Sequence, residues 1–131
     1  MQPLDIIDKY YHLVDKGELD AVIGLFADDA AYIRRTAEKS PQRYEGKDAI
    51  DRFFRNERKL EGTHHIKSQR INSEGRVQVN GEFTGTHTDS AGCITPIHVP
   101  FIDVWELNAN GRITQRWSAI LPKQAERTIP L

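Results

Sequence analysis

The chain has 131 residues, 38% hydrophobic and 28% charged, with eighteen basic and nineteen acidic side chains giving a net charge of −1. That length supports one domain around a single core, and the even charge balance excludes the basic footprint of a nucleic-acid or anionic-membrane binder. No apolar run approaches the ~20 residues of a membrane span. One cysteine, Cys93, leaves no internal disulfide, and the start Met1-Gln2-Pro3-Leu4-Asp5 lacks the basic and apolar stretches of a secretion signal. The expectation is one cytoplasmic domain spanning 1–131.

From Pro3 to Lys16, Leu4, Ile7, Tyr10, Tyr11 and Val14 fall three and four residues apart, the stripe of an amphipathic helix that Gly17 closes. Glu18 to Phe26 repeats the pattern and predicts a second short helix. Ala30 to Arg35 reads as a strand, and the polar Thr36 to Gln42, with Pro41, reads as a loop. Gly46-Lys47-Asp48 opens a third helix whose stripe, Ala49, Ile50, Phe53, Phe54, Glu57 and Leu60, continues to Gly62. Arg55, Arg58 and Lys59 read as its solvated face.

After Gly62 the period changes from 3.6 to 2. His64–Ile71, Arg76–His87, Ile94–Leu107 and Arg112–Leu121 read as four strands joined by turns rich in Asn, Asp, Ser and Gly, and therefore antiparallel. Helices first and a meander afterwards predict an α+β fold, a curved sheet with three N-terminal helices over its concave face. Arg76–His87 is apolar on one face only. The last two strands are apolar on both, with Val99, Phe101 and Trp105 opposing Ile102 and Val104. A strand apolar on both faces needs two covers, so a homodimer through the outer face is expected, with Ile102, Val104, Ile113 and Trp117 at its centre.

This order of elements resembles the cone-shaped fold of ketosteroid isomerase and nuclear transport factor 2. Tyr10 to Ala21 followed by Leu25-Phe26-Ala27-Asp28-Asp29-Ala30 is similar to the isomerase N-terminal hairpin, and Ile102 to Leu107 with Asn110-Gly111-Arg112-Ile113 resembles its last two strands. Gly81-Glu82-Phe83-Thr84-Gly85-Thr86-His87 is similar to a strand of SnoaL-like polyketide cyclases. The resemblance implies that Tyr10 donates to an oxyanion and that Asp103 stands beside it, as a protonated donor in the isomerase or as the acid/base in SnoaL-like cyclases. The isomerase's carboxylate base falls at Arg34, and a guanidinium cannot abstract a proton, so isomerase chemistry of the usual kind is not expected. The second aspartate of limonene-epoxide-hydrolase-like enzymes falls near Ser118, which weakens that reading.

The residues themselves define a candidate site. Asp103 lies between Phe101 and Trp105 on one strand face, where an acid is either a tuned proton carrier or a partner for an arginine. His87 shares parity with Phe83 and Val79 and can shuttle a proton, or cap a turn. Through the isomerase alignment, Tyr32 and Arg34, and Arg116 with Ser118, turn inward. Two cations beside one acid fit a ligand carrying a carboxylate, phosphate or enolate, or else an Arg–Asp103 pair that fixes packing. Catalytic candidates are thus Asp103, Tyr10 and His87. Expected ligand contacts are Arg34, Arg116, Tyr32, Phe53, Phe83, Phe101 and Trp105. His64, His65, Cys93 and His98 complete no metal set, and no glycine-rich loop supports a nucleotide, so no cofactor is expected. The expected function is cofactor-independent acid/base chemistry on a small apolar carbonyl compound, of the cyclase, isomerase or dehydratase (lyase) kind. A non-catalytic ligand-binding domain and an epoxide-hydrolase-like enzyme are the alternatives.

Overall fold

The apolar stripe that begins at Leu4 forms helix α1, Pro3–Lys16, in a computed structural model that describes residues 2–36 and 39–120. Its buried face is Ile6, Ile7, Tyr10, Tyr11 and Val14, and Gly17 ends it in the left-handed conformation at φ 76°. A short α2, Leu19–Ile23, follows. The first strand, β1, already starts at Phe26 and runs to Thr36. The sequence expectation placed Phe26 on the second helix; burial of its ring in the core, beside Phe54 and Trp105, decides otherwise.

Two further segments differ from expectation. Lys39–Glu45, read as mostly loop, is strand β2, paired antiparallel with β1 through Tyr32–Tyr44 and Ile33–Arg43. Pro41 is tolerated there because β2 is the edge of the sheet and has a neighbour on one side only. The third helix is short. α3, Lys47–Arg52, widens into one π turn, Phe53–Glu57, closed by the Arg58 N–H donating to the Phe53 carbonyl at 2.8 Å. Leu60, expected on the helix, therefore opens strand β3, Leu60–Ile71.

Strands β4 (Val77–Thr88), β5 (Ile94–Leu107) and β6 (Ile113–Ile120) complete a six-stranded sheet in the order β2-β1-β6-β5-β4-β3. Only β1 and β6 run parallel; every other pair is antiparallel. The expected end of the last strand at Leu121 lies outside the described residues. β3 and β4 approach closely where Gly62 pairs with Gly85, and a Cβ on Gly85 would overlap the Glu61 carbonyl. The helices, the π turn and the inner sheet face enclose one core containing Ile7, Val22, Ile50, Val79 and Trp105. No helix among the described residues is long and apolar enough to cross a membrane.

One irregularity sets the inner face of β6. Leu107 pairs with Ile113, whereas Glu106 pairs with Gln115, so Thr114 is an extra residue, a β-bulge. Its hydroxyl donates to the Glu106 carbonyl at 3.1 Å. The bulge shifts the alternation, so that Ile113, Arg116 and Ser118 all point inward. Ile113 is fully buried in the core, which corrects its expected place on the outer face.

Candidate active site

Between the π turn and the inner sheet face lies a cavity of about 250 Å³. Its mostly apolar wall includes Leu60, Phe83, Ile97, Val99 and Phe101. Of the residues expected to touch ligand, Tyr32, Arg34 and Phe53 line it from β1 and the π turn and Arg116 from β6, where Ser118 joins it. His87 reaches it from β4 and Asp103 from β5.

Asp103 is completely buried and meets Arg116, itself 5% exposed. Arg116 Nη2 donates to Asp103 Oδ2 at 3.1 Å, and the Tyr11 hydroxyl donates to the same oxygen at 2.5 Å. Trp105 Nε1 donates in turn to the Tyr11 hydroxyl at 3.3 Å. Arg116 Nη1 donates to the Tyr10 hydroxyl at 2.7 Å, and the guanidinium lies 4.6–4.9 Å from the ring centroids of Tyr10, Tyr32 and Trp105. Burial pulls the Arg116 pKa down, but the Asp103 carboxylate together with the Tyr10, Tyr32 and Tyr11 hydroxyls outweighs it, and the pKa stands well above the ordinary arginine value. Burial raises Tyr10 to about 12, partly offset by Arg116. It raises Tyr11 well above 10, with Asp103 adding to the effect.

Two expectations change here. Tyr10 does not stand beside Asp103; Tyr11 does, while Tyr10 and Trp105 lie behind the cavity wall and hold Arg116 and Tyr11. Asp103 accepts two hydrogen bonds at one oxygen, Oδ2. Its other oxygen, Oδ1, is buried with no hydrogen-bond partner among the described residues. Arg58, expected on a solvated helix face, instead lines the cavity.

A second proton-handling group was missed altogether. His64, on β3, lines the same cavity, with its side chain 9% exposed. Its Nδ1 lies 2.6 Å from Asp15 Oδ1 in the last turn of α1, and its backbone N–H donates to Asp15 Oδ2 at 2.9 Å. The rings of Phe83, Tyr11 and Phe101 surround the imidazole at 4.9–5.2 Å. A carboxylate on Nδ1 fixes that nitrogen as the N–H, which leaves Nε2 the basic atom. Neighbouring His65 faces the other way, against the Thr84 hydroxyl at 2.7 Å. The alternation Leu60, Gly62, His64, Ile66 carried the signal that His64 points inward, but the partner Asp15 lies 49 residues away.

The curved sheet, closed on its inner face by the helices, defines a cone-shaped pocket domain. The SnoaL-like domain model matches residues 7–116, and the chain belongs to that family. Solved structures of similar shape agree. A candidate SnoaL-like polyketide cyclase from Shewanella putrefaciens CN-32 is 20% identical, with 92% of this chain and 90% of that one covered and a TM-score of 0.75. One from Shewanella denitrificans OS-217 is 17% identical over 96% and 94%, with a TM-score of 0.77. SalBIII, an epoxide hydrolase/cyclase-like enzyme of pyran ring formation in the polyether salinomycin, is 21% identical over 90% and 89%, with a TM-score of 0.70. No curated protein matches the chain.

Proposed function

We propose that this protein is a cofactor-independent acid/base enzyme acting on a small carbonyl compound, in a cyclisation, isomerisation or dehydration. One observation carries the reading. A single cavity holds an imidazole oriented by a carboxylate, His64–Asp15, together with a buried Asp103 whose Oδ1 is unpaired. His64 Nε2 is the base that removes a proton next to the carbonyl, and Asp15 steadies the imidazolium that results. The enolate oxygen finds Arg116 and the Ser118 hydroxyl on the wall, fixed before the reaction starts. Asp103 Oδ1 accepts a hydrogen bond from a substrate hydroxyl, and the proton taken up by His64 Nε2 returns to the substrate at the second site. The likeness to proteins named as cyclases supports this class of reaction.

The grip of Arg116 and Tyr11 on Asp103 favours a second reading, a domain that binds ligand without chemistry. Proton exchange separates the two. The protein incubated with 2-tetralone or a 1,3-diketone in D₂O should speed deuterium uptake at the acidic carbon, followed by proton NMR. His64→Gln should lose ~10²-fold or more of that rate while keeping its circular dichroism spectrum. Compounds that bind with no exchange above buffer would make the protein a binder.

A further inference from the structure

Among the described residues, the cavity wall carries three guanidinium groups, Arg34, Arg58 and Arg116, against the single carboxylate of Asp103. The charge of Arg116 is answered by Asp103, and its Nη1 and Nη2 donate to Tyr10 and Asp103. Arg58 is different. It follows the π turn directly, and the one hydrogen bond of its side chain among the described residues is Nη1 to the Leu60 carbonyl at 3.3 Å. It makes no ion pair among them. A guanidinium has five N–H donors, so most of this one's capacity is unused. Burial pulls its pKa below the ordinary arginine value. The hydroxyls of Tyr10 and Tyr32 act against that pull, Arg116 adds to it, and the nearby acid, Asp15, is committed to His64. Among the described residues, Arg34 likewise meets only neutral partners, the Gln42 side chain at 3.4 Å and the face of Phe53 at 5.4 Å.

Holding a half-buried cation without a counter-charge costs free energy that folding does not recover. The cost is offset when a ligand brings the missing negative charge. The rest of the wall restricts that ligand. Leu60, Phe83, Ile97 and Val99 line the same cavity with hydrocarbon, and the Phe83 ring lies 6.0 Å from the Arg58 guanidinium. A cavity of about 250 Å³ is below the ~300–1,000 Å³ usual for drug-sized ligands. The molecule that fits is small and apolar with one anionic end. A planar carboxylate matches the guanidinium fork with two parallel hydrogen bonds.

We propose that the ligand is a small apolar carboxylate whose anionic end is bound by Arg58, with Arg34 as a second cation on the same wall. Combined with the proton-handling groups, this makes the substrate class an oxo acid, with the carbonyl toward His64 and Asp103 and the carboxylate toward Arg58. The inference rests on the cavity being the ligand site, not on any reaction occurring in it.

Calorimetric titration with naphthalene-2-carboxylate, its neutral primary amide and 2-naphthyl phosphate tests it. The carboxylate should bind about tenfold or more tightly than the amide, since a hydrogen-bonded charge pair replaces a neutral contact. In Arg58→Met, which keeps an unbranched apolar stem and removes the charge, that ratio should fall close to one, and in Arg58→Lys to an intermediate value. Equal binding of carboxylate and amide by the unaltered protein would overturn the proposal, and so would a ratio untouched in a folded Arg58→Met. Tighter binding of the phosphate would overturn the carboxylate assignment, and no binding of any of the three at millimolar concentration would overturn the site. These outcomes are independent of proton exchange. A protein that prefers the carboxylate yet exchanges no proton keeps the anion site and loses the enzyme reading.

Discussion

Replacing Asp103 with asparagine isolates the element on which the inner wall depends. Asp103 is fully buried and Arg116 is 5% exposed, so the pair is almost without solvent screening. Asparagine keeps the shape and one acceptor for the Tyr11 hydroxyl but leaves Arg116 a buried cation with no counter-charge. Removing one partner of such a pair costs ~3–5 kcal/mol. For a domain of this size, each kcal/mol is worth roughly 3–4 °C in Tm, so thermal denaturation followed by circular dichroism should show a fall of roughly 10–20 °C. The double variant Asp103→Asn/Arg116→Met removes the stranded charge and leaves a thioether against the rings of Tyr10, Tyr32 and Trp105. It should recover at least ~1 kcal/mol relative to the single variant. A single variant within ~1 kcal/mol of the parent, or a double variant no more stable than the single, would refute the claim that Asp103 and Arg116 act as a desolvated pair.

Two more perturbations follow from the geometry. Tyr10 is 1% exposed with its pKa raised to about 12, so the folded state holds a proton that the unfolded chain releases near pH 10. Its contribution is complete below pH 10 and is lost between pH 10 and about 12, roughly 2–3 kcal/mol from this one group at 1.36 kcal/mol per unit; urea midpoints that stay level over that range would contradict the burial. We also propose that the outer sheet face, a shallow groove of Ile33, Ile102, Val104, Trp117 and Ala119, joins two copies of the chain. Trp117→Glu should convert a dimer to a monomer in sedimentation velocity, and a parent protein that sediments only as a monomer at micromolar concentration would end that idea.

The architecture was legible because period-3.6 and period-2 segments alternate cleanly and the turns between β3, β4, β5 and β6 carry their own signals. The inward parity of Phe83, Phe101 and Asp103 came from the same alternation. What stayed hidden has physical causes. β2 carries Pro41 and charged residues because an edge strand tolerates both, so nothing in its composition separates it from a loop. The π turn at Phe53–Glu57 has no sequence signature of its own; one added residue per turn redirects the chain and carries Arg58 from the expected solvated face to the cavity. The partnerships of Tyr11 with Asp103 and of His64 with Asp15 span 92 and 49 residues, and no local spacing encodes them.

The bulge at Thr114 shows how one residue decides what the cavity contains. Strict alternation from Ile113 would place Gln115, Trp117 and Ala119 inward beside it and leave Arg116 on the outer face. Asp103 would then be a buried acid with no cation. Because Thr114 is skipped in the pairing, Ile113 keeps its place in the core while Arg116 and Ser118 turn toward Asp103 and Trp117 turns out. The bond from Thr114 Oγ1 to the Glu106 carbonyl, and a second to Glu106 Oε2 at 2.8 Å, hold the skipped residue where it is. The same irregularity therefore gives the inner face its ion pair and the outer face its tryptophan. The chemistry of the pocket and the apolar surface proposed for the second copy are two consequences of one register shift, and neither could be changed at that point without the other.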